Sequence, residues 1–213
     1  MSETREILLL RHGATEANEQ HRYCGKTDLS LSPSGKASLL CKQRSLLYPN
    51  LSDFFICTSG MKRTNETLAL LYPNDSVRAH TVPAFQEINF GSFENRTYEE
   101  LRDSPSYQAW ISPNFPDESN DKNQCPNGES GEEMKTRVLS QLHELLRTHE
   151  RIAIFTHGGP ISAIMAFYFP EEHKNRYQWQ SDFGEGWRIV ISHDDKGETR
   201  TYEHIPRTQE GTK

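Results

Sequence analysis

Short apolar runs recur along this 213-residue chain, each bounded by polar or turn-forming residues. Glu6–Leu10, Asp53–Cys57 and Arg151–Phe155 are compact and β-prone, the pattern of strands buried on both faces of a parallel sheet. Arg188–Ser192 is a fourth such run. The turn sequence Asp194-Asp195-Lys196-Gly197 and a polar stretch near Thr199–His204 follow it, which predicts an edge strand. Helical patterns fill the intervals. Ser32 caps a helix with Pro33 at its first position, running to about Leu47. Lys62–Leu71 forms a second helix, stopped by Pro73. Thr97-Tyr98-Glu99-Glu100 and Ser130-Gly131-Glu132-Glu133 are capping boxes. The first opens a short helix, and the second a longer one with Met134, Val138, Leu142 and Leu145 on its apolar face. A further apolar helix, Ile161–Phe169, follows Pro160.

Strands interleaved with helices predict an α/β fold: a single three-layer domain with a mostly parallel sheet, helices on both faces and an antiparallel edge strand. No linker separates two cores. The expected layout is one domain over residues 1–205 and a flexible C-terminal tail over 206–213. Ser112–Gly128, rich in Ser, Pro, Asn, Asp and Glu, reads as a long surface loop, either a functional lid or a tolerated insertion.

Composition narrows the partners. Lys and Arg number 24 against 30 Asp and Glu, a net charge of −6. An acidic chain without a basic stripe is a poor nucleic-acid binder, because neutralising phosphates dominates that affinity. No apolar run approaches the ~20 residues of a membrane-spanning helix. The run Ile7–Leu10 is too short for a signal-peptide core, so a cytoplasmic location is expected. Cys24, Cys41, Cys57 and Cys125 are scattered without a C-x-x-C, which fits neither a disulfide framework nor a zinc site. No metal or cofactor is expected, and the sequence is compatible with a monomer or a homodimer.

The chemistry concentrates where strands end, the place at which open α/β sheets bind ligands. Two histidines each follow a predicted strand: Arg11-His12-Gly13 after the first, and Thr156-His157-Gly158-Gly159 after Arg151–Phe155. The glycine pair opens a helix, so its amides suit an anion. The strand Asp53–Cys57 leads through Thr58-Ser59 to Arg63 on the first turn of a helix. If Arg63 faces inward it needs an anionic partner; if outward, it is an ordinary helix-surface arginine. With Arg11 it forms a two-guanidinium clamp matched to phosphate oxygens, and Asn18 is positioned to add a neutral donor. Glu87 lies in an aromatic setting that favours a protonated carboxyl, as a general acid needs.

These residues carry a family resemblance. Arg11-His12-Gly13-Ala14-Thr15-Glu16-Ala17-Asn18 is similar to the R-H-G-x-T-x-x-N signature of the histidine phosphatase (phosphoglycerate-mutase-like) superfamily. Cys24-Gly25-x-x-Asp28, Leu31-Ser32-x-x-Gly35, Thr58-Ser59-x-x-x-Arg63-x-x-x-Thr67, Glu87-x-x-Phe90-Gly91-x-x-Glu94, Gly128-Glu129-Ser130 and Thr156-His157-Gly158-Gly159 continue it in order, from about Ile7 to His204. The resemblance implies His12 as the nucleophile that accepts a phosphoryl group. Arg11, Asn18, Arg63, His157 and Gly158 would bind the phosphate, with Cys24 and Gly25 beside them. Glu87 would protonate the leaving oxygen and then activate water. Small phosphomonoesters and inorganic phosphate are the implied ligands. Cys24, Ser30 and Asn95 stand where the family commonly has glutamine, proline and glycine.

Within the family the compact middle resembles the phosphatase branch, and Asn89–Trp110 resembles bacterial α-ribazole 5′-phosphate phosphatases of cobalamin nucleotide-loop assembly. A phosphoglycerate mutase, a phosphatase for a sugar phosphate or phosphoserine, and a non-enzymatic phospho-ligand binder are the alternatives. Phe90, Phe93, Tyr98, Tyr107 and Trp110 form either an apolar wall for a flat base or part of the core.

Overall fold

The computed structural model describes residues 3–113, 120–195 and 197–208. Its strands are β1 (Glu3–Arg11), β2 (Leu46–Leu47), β3 (Phe55–Thr58), β4 (His80–Thr81), β5 (Arg151–Thr156), β6 (Gly186–Asp194), β7 (Gly197–Ile205) and β8 (Arg207–Thr208). Its α-helices are α1 (Glu16–Glu19), α2 (Pro33–Ser45), α3 (Lys62–Leu71), α4 (Tyr98–Leu101), α5 (Pro105–Ile111), α6 (Gly131–Leu146), α7 (Gly158–Tyr168) and α8 (Arg176–Trp179). Six strands form one sheet in the order β4-β3-β5-β1-β6-β7, and β2 pairs with β8 apart from it. The first four members of the sheet run parallel; β6 and β7 are antiparallel.

Apolar runs without alternation arise because both faces of the sheet are covered. Ile7 and Leu9 of β1, with Ile152 and Ile154 of β5, pack under α6 and α7. Leu8 and Leu10, with Ala153 and Phe155, turn the other way onto Leu39 of α2 and Leu68 and Leu71 of α3. Leu8, Leu9 and Leu10 are all fully buried, each contributing about 1.5–3 kcal/mol by removal from water. Ser32, Thr97 and Ser130 each accept a backbone N–H at the start of α2, α4 and α6, as their capping patterns predict. In α6 Leu146 is buried while Leu145 is only partly so, which extends the expected apolar face by one residue.

Several expectations need correction. The Arg188–Ser192 run lies in β6 and pairs antiparallel with β1, so both pairings on that side, β1 with β6 and β6 with β7, are antiparallel. The chain re-enters the sheet at the carboxyl end of β1, where Gly186 faces Leu10, and an apolar run does not record its own direction. The Asp53–Cys57 strand sits two residues later at its start, because Asp53 is exposed and Phe54 precedes the strand. Helix α2 ends at Ser45, since Leu46 and Leu47 become extended to pair with Thr208 and Arg207. That pairing draws residues 207 and 208 out of the expected tail; residues 209–213 lie outside the described ones. Of the Ser112–Gly128 loop, residues 114–119 also lie outside them.

Candidate active site

The parallel register assembles the site. Arg11 pairs with Thr156 at the carboxyl ends of β1 and β5, and the His12 amide donates to the Thr156 carbonyl at 3.0 Å. The Ser59 amide donates similarly to the Phe155 carbonyl at 3.1 Å. His12 and His157, 145 positions apart in the chain, therefore stand with ring centroids 5.0 Å apart.

His12 is buried, and its Nδ1 lies 2.7 Å from the Gly13 carbonyl oxygen. A carbonyl only accepts, so Nδ1 carries the proton and Nε2 holds the ring's lone pair. No hydrogen bond among the described residues engages Nε2. Burial, reinforced by the guanidiniums of Arg63 and Arg11, holds this imidazole well below its ordinary pKa. It is neutral, which is what a nucleophile requires. Gly13 is itself fixed by donating to Thr67 Oγ1, which in turn donates to the Arg63 carbonyl.

Arg63 is fully buried, which decides between the inward and outward readings of its helix position. Its Nη1 and Nη2 donate to the carbonyls of Thr27 and Gly25 at 2.8 and 2.7 Å, and its Nε to His157 Nδ1 at 3.2 Å. These bonds leave one hydrogen on each terminal nitrogen for an anion. His157 Nε2 meets Ser59 Oγ at 2.8 Å. With Nδ1 accepting from Arg63, Nε2 is the protonated nitrogen, so both ring nitrogens are engaged by protein. Burial, with the Arg63 charge beside it, holds His157 well below its ordinary pKa.

The Arg11 guanidinium lies 4.3 Å from the centroid of the Phe183 ring and donates through Nη1 to the Ser181 carbonyl at 2.8 Å. Its Nε is buried with no partner among the described residues. A buried charged donor left open is costly unless an anion fills it. Glu87 meets the first turn of α7: its carboxylate accepts the Ile88 amide at 3.0 Å and the Gly159 amide at 3.1 Å.

Arg11, His12, Arg63, Glu87 and His157 thus converge. The other predicted residues divide. Asn18 Oδ1 accepts from the amide and hydroxyl of Thr15 in the α1 capping box, so its NH₂ is what it can offer a ligand. Gly25 spends its carbonyl on Arg63 and its amide on Glu94, which makes it a support for the clamp. A Cβ there would stand 1.8 Å from the Ile88 carbonyl oxygen, so only glycine fits. Cys24 is half-buried with its thiol on the Thr27 carbonyl, and burial raises its pKa. Gly158 opens α7 with its amide unused by any described group, whereas the Gly159 amide is already taken by Glu87.

Two functional groups went unassigned by sequence. Ser59 engages Nε2 of His157, the nitrogen left protonated by the Arg63 bond to Nδ1. Glu94 accepts the amides of Gly25, Lys26, Thr27 and Phe90 and the Thr27 hydroxyl. It ties the loop that carries the Arg63 acceptors to the segment that carries Glu87. Both stand inside motifs already quoted, but nothing in a linear pattern says what a serine or glutamate will face. Of the five candidate wall aromatics, Phe93, Tyr107 and Trp110 are buried in a small third core with Leu101 and Cys125; Tyr98 is exposed and Phe90 partly buried. An open depression of about 450 Å³ is lined by Lys26, Thr27, Asn89, Gly91, Ser92, Glu94 and Asn127, its surface divided between polar and apolar atoms, and none of the five converging residues lines it. Among the described residues no helix is long and apolar enough to cross a membrane.

Comparison with known proteins bears on the family and the fold. The family model described as histidine phosphatase superfamily (branch 1) matches residues 7–202. Human 6-phosphofructo-2-kinase/fructose-2,6-bisphosphatase 4 is 29% identical over 164 residues, and the human form 3 is 30% identical over 171. Each match covers 77% of this chain, which spans about a third of these curated relatives' length (33% and 29%). Among solved structures, the α-ribazole phosphatase of Shigella flexneri is 25% identical with a TM-score of 0.71 over 92% of this chain and 94% of that one. A candidate α-ribazole-5′-P phosphatase of Escherichia coli reaches 0.76 at 22% identity, covering 96% and 98%. A histidine-to-alanine mutant of the Entamoeba histolytica phosphoserine phosphatase, solved with phosphoserine, reaches 0.67 at 21%, covering 92% and 94%.

Proposed function

Since the chain belongs to the histidine phosphatase superfamily (branch 1), we propose that it is a metal-independent phosphomonoesterase working through a phosphohistidine on His12. The observation that carries this reading is the Nδ1 contact of His12 to the Gly13 carbonyl, which leaves Nε2 as the lone-pair nitrogen. Nε2 attacks phosphorus as the P–O bond to the leaving group breaks, and protonated Glu87 gives its proton to the departing oxygen. Glu87, now a carboxylate, takes a proton from water. The hydroxide attacks phosphorus, the N–P bond breaks, and Nε2 recovers its electron pair with release of inorganic phosphate. Arg11 and Arg63 meet the charge on the equatorial oxygens, the part that preorganised donors and cations play in such transfers.

The proposed substrate is α-ribazole 5′-phosphate, supported by the likeness to the Shigella flexneri enzyme. A sugar phosphate is the second reading. It is favoured by the curated bisphosphatase relatives, which match 77% of this chain. Phosphate release from a panel of α-ribazole 5′-phosphate, sugar phosphates, phosphoserine and phosphoglycerates tests both. The highest kcat/KM is expected on α-ribazole 5′-phosphate. A preference for a sugar phosphate selects the second reading. Exchange between phosphoglycerates that needs a bisphosphate primer would make the protein a mutase, and no turnover of any monoester would overturn the phosphatase reading.

A further inference from the structure

Glu87 sits on a stretch without regular secondary structure, between the short turn Pro83–Phe85 and the turn Gly91–Phe93. An acid that must reach a leaving oxygen within hydrogen-bond distance needs a fixed backbone beneath it. Irregular backbone supplies none of its own, because its carbonyls lack ladder partners. Here one side chain from another element supplies them. Arg137, on the second turn of α6, donates through Nη1 to the carbonyls of Ala84 and Gln86 at 2.6 and 2.8 Å, and through Nη2 to that of Glu87 at 3.0 Å. Its remaining two N–H groups grip Glu129, Nε to Oε1 at 2.6 Å and Nη2 to Oε2 at 2.9 Å. All five donors of the guanidinium are used, the full capacity of the group.

Glu129 closes the clamp from the other side. Its Oε2 accepts the Asn89 amide at 3.3 Å, and its own amide donates to the Asn89 carbonyl at 2.8 Å. The segment from 84 to 89 is thus held at three carbonyl sites by Arg137 and at its end by Glu129. We propose that Arg137, locked by Glu129, is a positioning residue for the Glu87 acid. It touches neither the phosphate nor the reacting atoms. The inference rests on the reading of Glu87 as the proton donor, and it adds that α6 fixes where the proton is delivered.

Arg137→Lys is the informative variant. Lysine keeps the charge opposite Glu129 and most of the volume, but its compact ammonium cannot span three carbonyls and a carboxylate as a planar fork does. The test compares single-turnover phosphorylation rates on an alkyl or sugar phosphate, which needs protonation, and on p-nitrophenyl phosphate, which does not. Arg137→Lys should lose about tenfold or more on the first and no more than about twofold on the second. In a Glu87→Gln background the same change should cost nothing further on either, because residues acting through one group do not add. Glu129→Gln, which keeps shape while weakening the clamp, should show a smaller loss of the same selectivity. If Arg137→Lys melts below the assay temperature, the Glu129→Gln comparison decides alone.

Equal losses on both substrates, or losses that add fully to those of Glu87→Gln, would overturn the positioning role. Failure of the underlying reading looks different. There Glu87→Gln itself would lose activity equally on both substrates, whatever Arg137→Lys does.

Discussion

The amide of Gly159 donates to one carboxylate oxygen of Glu87 at 3.1 Å, and a Cβ on Gly159 would come within 2.1 Å of the other. The Glu87 carboxylate and the first turn of α7 are fitted to each other with no room for a methyl group. Gly159 has ordinary helical geometry, and alanine is the better helix former by about 1 kcal/mol. The obstructing atom is the mobile end of a side chain, so the carboxylate moves and the fold stays. Gly159→Ala is expected to melt at or slightly above the wild-type temperature while losing roughly 10²-fold in phosphorylation by alkyl phosphates and little with p-nitrophenyl phosphate. Glu87→Gln should give the same selectivity. A variant that is stable and fully active on both substrates would show that the carboxylate needs no such fit.

Gly25→Ala is the contrasting case. The clash there is with the Ile88 carbonyl, which is backbone. Overpacking against backbone costs about 1–3 kcal/mol, so denaturant melts should show a clear loss of stability together with weakened phosphate binding through Arg63. Unchanged stability would contradict the close approach.

His12→Ala should reduce turnover to the uncatalysed level. Wild-type enzyme quenched with base during turnover of labelled substrate should carry a phosphoryl group that acid removes and base does not. A fully active His12→Ala protein would remove the nucleophile assignment.

Stability should fall as the solution is acidified below about pH 6.5. Buried His12 and His157 stay neutral in the folded state, while in the unfolded chain they take up protons below the ordinary imidazole value of about 6.5. The unfolded state then binds more protons, so unfolding free energy drops with falling pH by up to about 1.4 kcal/mol per pH unit for each imidazole. Denaturant titrations between pH 6.5 and 5.5 measure the slope. His12→Asn should make it shallower. A slope identical in the two proteins would mean that His12 is protonated in the fold.

Activity should survive exhaustive chelation. Arg11 and Arg63 already bring two fixed positive charges to the phosphate position, where a metal would duplicate them. Turnover lost to a chelator and restored by a divalent ion would refute this.

Much of this site is legible in the amino-acid pattern. His12 and His157 are placed by two apolar runs that end in His-Gly, and hydrophobic burial on both faces forces those runs into the sheet. Helix α3 keeps its predicted bounds, Lys62–Leu71, because Pro73 and the preceding turn act locally. What the pattern does not show is anything set by partners distant in the chain. The direction of β6 depends on the path taken through residues 170–185, and the same apolar residues serve either direction. Arg63 has its inward orientation decided by the carbonyls of Gly25 and Thr27 that meet it. Phe93, Tyr107 and Trp110 suit wall or core equally as residue types, and packing against Leu101 and Cys125 makes them core. Arg137 carries no local mark at all, being one more charged residue on an amphipathic helix. Its role exists only because tertiary folding sets three unpaired carbonyls within its reach. The sheet's strands, its principal helices and the side chains suited to phosphoryl chemistry follow from the amino-acid pattern, since burial and capping act locally. Which nitrogen of His12 keeps its lone pair, which amide holds Glu87 and which glycines cannot change came only from the fold, because hydrogen-bond geometry and close contact depend on atoms that the chain brings together from far apart.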